Sequence, residues 1–518
     1  MAMACESAWS QSDAAAMSAA PVPVPAASQP GNAPPKLSVE VREAATNNTG
    51  IDDNGMRQAD FITSLTPSLD VAHKGAGFEG DLHASATFLD YAKGTQPDGV
   101  LPDLRATLAA TLLERWLRLD AAGYLQAAEA DPFGVRTDDV NGSNRRNMWG
   151  VMAGPTLQHD LSPETSVVVR HQFGRKEGAS GGNNTDATGQ TRLDSNLTLV
   201  RLERKPTPLG VAAEITRLDN RSNSDLGDSH FTLTTGRLRA MLDVDTGFSL
   251  GALVGQDRSD YLLSNHVDPV YGGSLDWTPG PRTHLEMAYE HHYFGKAGRF
   301  HLDHRTPFLT IGIDIKRQPL DATSSFGSVA QGGDVRSALN AILTTRYPDP
   351  ATRAAVVDGI VSSRGLNTSG TGAIDLIGDY PQLQTSAQAS IAMLGSRDTL
   401  SLIAYSTTTR ALIRAGDPLA GLSTATADNR QVGGAFQFAH RLGAQLSAAV
   451  QGTLSSIQAL GATRDRSKEQ VWRLSLLNHV SPRSDVTLAL QWDRFETTAA
   501  GQRSFDATLG LVGLSHRF

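Results

Sequence analysis

Period two is the feature that most constrains this chain, and it is clean at the very end. The last residues read ATLGLVGLSHRF. On an extended strand Gly510, Val512, Leu514, His516 and Phe518 point one way, and Leu509, Leu511, Gly513, Ser515 and Arg517 the other. The same alternation recurs upstream. In 283–293, Thr283, Leu285, Met287, Tyr289, His291 and Tyr293 share one face, and His284, Glu286, Ala288, Glu290 and His292 share the other. In 308–317, Leu309, Ile311, Ile313 and Ile315 oppose Thr310, Gly312, Asp314 and Lys316. In 485–493, Val486, Leu488, Leu490 and Trp492 oppose Thr487, Ala489, Gln491 and Asp493. An amphipathic strand that stops on an aromatic residue is the ending expected of an outer-membrane β-barrel. There the last strand closes on the first, and Phe518 reads as the insertion signal.

Composition agrees with one large barrel better than with several soluble domains. The chain has 518 residues, and the alternation runs from about residue 36 to the end. No run of about 18 apolar residues occurs, so no transmembrane helix is expected. A barrel needs none, because only alternate residues face lipid. The net charge of -8 and the lack of a basic tract argue against a nucleic-acid partner. Cys5 is the single cysteine, which excludes an internal disulfide. Residues 1–35 are rich in Ala, Pro and Ser and read as a disordered arm. They lack the basic start and apolar core of a secretory signal. A barrel has to cross the inner membrane, so the expectation is a translation start further upstream.

Turn signals divide 36–518 into strands of roughly 9–14 residues, long enough to span a bilayer at a tilt. Short connections such as 161–164, 205–208, 243–246, 280–281, 395–397 and 481–483 alternate with longer polar ones at 127–146, 175–190, 221–228, 258–266, 410–428 and 458–470. Short periplasmic turns and long outer loops are the habit of outer-membrane barrels. The fold class is therefore all-β, a transmembrane up-and-down antiparallel barrel of roughly 20–22 strands. An even count leaves both termini in the periplasm. One long extracellular connection, 318–380, breaks the pattern with two helical stretches, 334–346 and 350–364. Asp334 reads as the N-cap of the first, and Pro350 suits the first turn of the second. The insertion is either a loop packed on the rim or a plug or lid over the lumen.

The densest polar cluster is EHHYFGKAGRFHLDHR, 290–305. If its two halves pair through Gly295-Lys296, then His284, Glu286, Glu290 and His292 face the lumen beside Arg299, His301, Asp303 and Arg305. The arginines in that row oppose a metal, so the eight residues read as a charge ladder lining the lumen, with no metal and no cofactor. Catalysis is not expected. His479 and Ser481 bracket a turn at Pro482, and the neighbours Ser515 and His516 face opposite sides of a strand. Neither pair has a third residue to orient the base. Trp149, Trp277, Tyr289, Tyr293, Trp472 and Trp492 fit interfacial girdles better than sugar-stacking platforms. Arginine on both faces blurs 191–204 and 229–242.

The stretches LSVEVREAATNN (37–48), ADFITSLTPSLDV (59–71), YEHHYFGKAGRFHLDHRT (289–306), YPDPATRAAVVDGIVSSRGL (347–366) and the closing LSHRF carry a resemblance. In them the chain resembles the outer-membrane β-barrel family associated with the PEP-CTERM/exosortase and exopolysaccharide systems of Gram-negative bacteria, over about residues 36–518. The resemblance implies the bacterial outer membrane and a link to polysaccharide export or surface attachment, by passage or binding through a polar lumen. It brings no catalytic residues. The other functional readings are a general or solute-specific porin, and a structural or adhesin-like barrel with an occluded lumen. The expected partners are outer-membrane lipid, the barrel-assembly machinery, and polysaccharide or export-system proteins.

Overall fold

The computed structural model describes residues 35–49, 57–75, 77–114, 116–129, 133, 145–179, 190–224, 227–261, 264–320, 335–366, 382–412, 428–460, 464–499 and 504–518. The N-terminal arm, Asp334 and most of the rest of the 318–380 connection outside its helices lie outside them.

The strands are β1 (Lys36–Thr46), β2 (Asp60–Lys74), β3 (Phe78–Tyr91), β4 (Gly99–Leu113), β5 (Leu117–Glu129), β6 (Arg145–Asp160), β7 (Thr165–Ala179) and β8 (Gln190–Arg204). They continue with β9 (Leu209–Ser224), β10 (Gly227–Asp245), β11 (Phe248–Tyr261), β12 (Ser264–Gly280), β13 (Thr283–His292), β14 (Gly295–Arg305) and β15 (Leu309–Pro319). After the helices α1 (Val335–Leu343) and α2 (Pro350–Arg364) come β16 (Gln382–Leu394), β17 (Asp398–Ala411), β18 (Asn429–Arg441), β19 (Leu446–Ala459), β20 (Arg466–Ser481), β21 (Ser484–Thr497) and β22 (Phe505–Arg517). Each strand pairs antiparallel with the next, in one 22-stranded sheet. Ser38 lies opposite Arg517 and Thr46 opposite Leu509, so β22 closes on β1. The Phe518 amide donates to the Leu37 carbonyl at 3.0 Å, continuing that seam to the last residue. The chain is an up-and-down antiparallel transmembrane β-barrel with a helical insertion in one extracellular connection.

The outward faces explain why this sheet closes instead of folding onto itself. Leu209, Val211 and Ile215 on β9, Leu238 and Leu242 on β10, Val254 on β11 and Leu474 and Leu476 on β20 are all exposed. Such a surface is stable only against hydrocarbon. Aromatic side chains edge it, with Trp116, Trp277, Phe308 and Phe518 exposed near the short turns and Tyr271, Tyr289 and Trp472 exposed higher up. Residues in the girdle positions sit where one end of the ring is apolar and the other wet. The belt, its girdles and the closed sheet place the protein in the bacterial outer membrane.

Two long connections expected from the sequence are strand. The β9–β10 pairing runs to Ser224 opposite Gly227, and the β11–β12 pairing to Tyr261 opposite Ser264. Above Ile215 the outward residues of β9 become Arg217, Asp219, Arg221 and Asn223. These hairpins rise past the belt, where the outward face turns polar while Leu218, Phe231, Leu233 and Tyr261 stay buried on the inner face, so the apolar-outward signal disappears. The β13–β14 hairpin also differs, because His292 lies opposite Gly295, so Tyr293 and Phe294 form its turn. Gly295 takes the left-handed φ of 96° that follows this tight turn.

The insertion leaves from the outer end of β15 and returns at the outer end of β16, yet α1 and α2 do not pack on the outer rim. Val335, Leu339, Ile342, Leu343, Val357 and Val361 are buried against Ala392 and Leu394 of β16, Ala439 of β18 and Ala449 of β19. These wall positions face inward near the short turns. From Gln382 to Leu394 the strand runs about 40 Å along its own axis, at roughly 3.4 Å per residue. The alanines leave the room that the helices fill. Asp349 caps α2, accepting from the Thr352 amide at 2.7 Å, and Pro350 occupies its first turn. Gly365 ends it in the left-handed region at φ 59°.

Candidate functional site

All eight residues singled out in 284–305 face the lumen. The register sets His284 opposite Asp303, Glu286 opposite His301, and Ala288 opposite Arg299, and Glu290 and His292 continue the same face of β13. They do not form one ladder. The structure divides them into a buried set near the outer turn and a more open set near the periplasmic end.

In the buried set, Glu290 and His292 turn away from β14 toward earlier strands. Arg201 Nε donates to Glu214 at 2.8 Å, and Arg237 reaches Glu214 at 2.8 Å and Glu290 at 3.0 Å. His292 Nε2 lies 2.9 Å from Glu290, and its Nδ1 lies 2.7 Å from Asp257. Thr235 donates its hydroxyl to the other Asp257 oxygen at 2.7 Å. The side chains of Glu290 and Asp257 are 0% exposed. This chain of charges crosses β8, β9, β10, β11 and β13. Arg237 on β10 meets Glu290 on β13 because Gly255 and Gly272 face inward on the strands between them. A Cβ on Gly255 would lie 3.1 Å from the Arg237 Cγ, and one on Gly272 would lie 2.9 Å from the Glu290 Cα. Any side chain there would fill the path of the pair. Buried charges persist only when paired and hydrogen-bonded, which is what this network provides. It neutralises itself and offers little charge to a passing solute.

The open set lies below. His301 Nε2 is 2.6 Å from Asp303 and its Nδ1 is 3.3 Å from Asp314 on β15. His284 Nε2 is 3.0 Å from Asp276 on β12, and Arg299 is 3.8 Å from Glu286. Arg305 donates to the Pro281 carbonyl at 2.8 Å. A cavity of about 470 Å³ separates this part of the wall from α1.

The helical segment is fastened where the short turns are. The Arg364 guanidinium donates to the carbonyls of Asp398 at 2.6 Å and of Gly395 and Ser396 at 3.2 Å, and to the Thr399 hydroxyl. Burial pushes the Arg364 pKa down, with Arg441 adding repulsion and Asp398 opposing it. An arginine stays charged through such a shift, so the turn carbonyls hold a cation. The Ser363 carbonyl accepts from the Ser447 hydroxyl at 2.7 Å and lies 3.4 Å from His479 Nε2. Asp358 pairs with Arg336 of α1 and lies 3.6 Å from Lys36 at the start of β1.

Sequence reasoning missed Arg201, Glu214, Arg237, Asp257 and Arg364. The arginines that blurred 191–204 and 229–242 were the available signal, since Arg201 and Arg237 are lumen residues and their blur marks a buried pairing. His479 is held by Asp485 at 2.5 Å as well as by Ser363. His516 meets Ser484 across the β21–β22 pair at 2.9 Å, and no carboxylate joins it among the described residues.

No protein-family model matches the chain, and no curated protein is similar to it. Among solved structures it is similar to the FrpB iron transporter from Neisseria meningitidis, at 9% identity and a TM-score of 0.49, over 93% of this chain and 82% of that one. It is also similar to a mutant of the ferric enterobactin receptor PfeA from Pseudomonas aeruginosa, at 8% identity and a TM-score of 0.46, over 95% and 81%. No residue role passes to this chain from likenesses of that degree.

Proposed function

We propose that this protein is a gated outer-membrane conduit that passes or holds a polar polymer, in an exopolysaccharide-linked export or surface-attachment system of the PEP-CTERM/exosortase kind. The observation that carries the reading is the docked helical segment. Its two helices lie within the lumen near the short turns, and α2 ends anchored to the periplasmic turn between β16 and β17 by Arg364. A pair of helices that buries its own apolar face against one sector of the wall, and is tied to the turns by hydrogen bonds, can move as a unit. The stretch YPDPATRAAVVDGIVSSRGL, one of those that carry the family resemblance, forms α2 with both its caps. The mechanism is passage or binding without turnover.

A solute-specific porin is the second reading, favoured by the half-exposed charged groups around His301 and Arg305. Planar-bilayer recordings of the barrel lacking residues 321–381 separate the two. Oligosaccharides of increasing length are expected to interrupt the current for increasing times. Interruption by small solutes alone would favour the porin. An unchanged current with both would remove the polymer reading, and no current at all would leave a structural barrel with an occluded lumen.

A further inference from the structure

The cavity between α1 and the wall has the chemistry of a ligand site. Its 470 Å³ falls within the roughly 300–1,000 Å³ of small-molecule pockets. Arg282, His284, Asp303 and Arg305 line it from the β12–β14 side, Ser390 from β16, and Ser337 from α1. The acids on this wall are already engaged, Asp303 with His301 at 2.6 Å and Asp276 with His284 at 3.0 Å. Arg305 spends one donor on the Pro281 carbonyl, and among the described residues neither it nor Arg282 has an ion pair. Arg282 and Arg305 therefore line the same space without a carboxylate of their own. Planar forks of this kind match a carboxylate and can bind it bidentately. The serine hydroxyls opposite them can both donate and accept, as hydroxyl-rich ligands require.

We propose that this cavity binds a small polyhydroxylated carboxylate, of hexuronate type, with its carboxylate at Arg282 and Arg305 and its hydroxyls toward Ser337 and Ser390. Ser337, Ala338 and Ala341 of α1 form one side of the cavity, so the complete site exists only while the helix is docked. Occupation then stabilises the docked segment by mass action. That consequence rests on the gated reading above; the site itself does not.

Calorimetric titration of the full, refolded chain in detergent tests the site, with glucuronate, glucose and inorganic phosphate as probes. Glucuronate is expected to bind at one site, with glucose and phosphate weaker by about tenfold or more. The double variant R282Q/R305Q is expected to lose glucuronate affinity by a similar factor. Equal binding of glucose or phosphate, or no binding of glucuronate, would overturn the ligand class without any variant. Full affinity in R282Q/R305Q would overturn the assigned residues, and full affinity after deletion of 321–381 would remove α1 from the site. Selective binding that leaves amide hydrogen exchange in α1 and α2 no slower supports the site and defeats only its link to the docked segment.

Discussion

Arg237 is the residue on which the lumen network turns. It stands between Glu214 and Glu290, with its side chain 3% exposed. Breaking a buried pair strands the partner charge, at a cost of about 3–5 kcal/mol. Arg237→Ala is therefore expected to lower barrel stability by that order, read as a lower urea midpoint of tryptophan fluorescence in the refolded protein. An unchanged midpoint would mean that the network is wet and structurally idle. The inward face of His284, Glu286, Glu290 and His292 was legible, because period two assigns every other residue of a strand to one side. Their partners were not. Glu290 finds Arg237 only through the registers of three successive strand pairs and the two glycines between them, Gly255 and Gly272. That information is spread over more than fifty residues of separation. Local pairing suggested Arg299 and its neighbours instead.

At the scale of elements, the strands and helices follow different rules of legibility. Asp349 and Pro350 announce the start of α2, and Gly365 its end, since capping is local chemistry. The docking place of the helices was hidden, because it depends on Ala392, Ala439 and Ala449, which look like ordinary strand alanines. The anchor was hidden for the same reason, Arg364 reading as the unremarkable last basic residue of a helix. Arg364→Ala removes the donors to Gly395, Ser396 and Asp398. The expected outcome is faster amide hydrogen exchange across α2 with the barrel's own urea midpoint unchanged. If exchange in α2 stays as slow as before, the apolar patch alone holds the segment. The outer hairpins mark the opposite failure, where strand exists without its signal. Beyond Ile215 the outward face of β9 turns polar while Leu218 stays buried inside, so an apolar-outward alternation has nothing left to report.

The whole molecule was the most legible level. A closed antiparallel sheet, an apolar belt and a chain that ends at the seam follow from one periodicity repeated to Phe518. Strand number followed less surely, because Thr306-Pro307-Phe308 is a weak turn signal between β14 and β15. The path of the insertion could not be read at all, since periodicity speaks of faces and not of depth. Whether the docked segment closes the barrel is the central claim, and single-channel conductance tests it most directly. The full refolded chain is to be recorded in a planar bilayer beside the same chain lacking residues 321–381. The gated account predicts a full chain that is nearly silent and a steady, large conductance after the deletion. Steady conductance of equal size from both would contradict it.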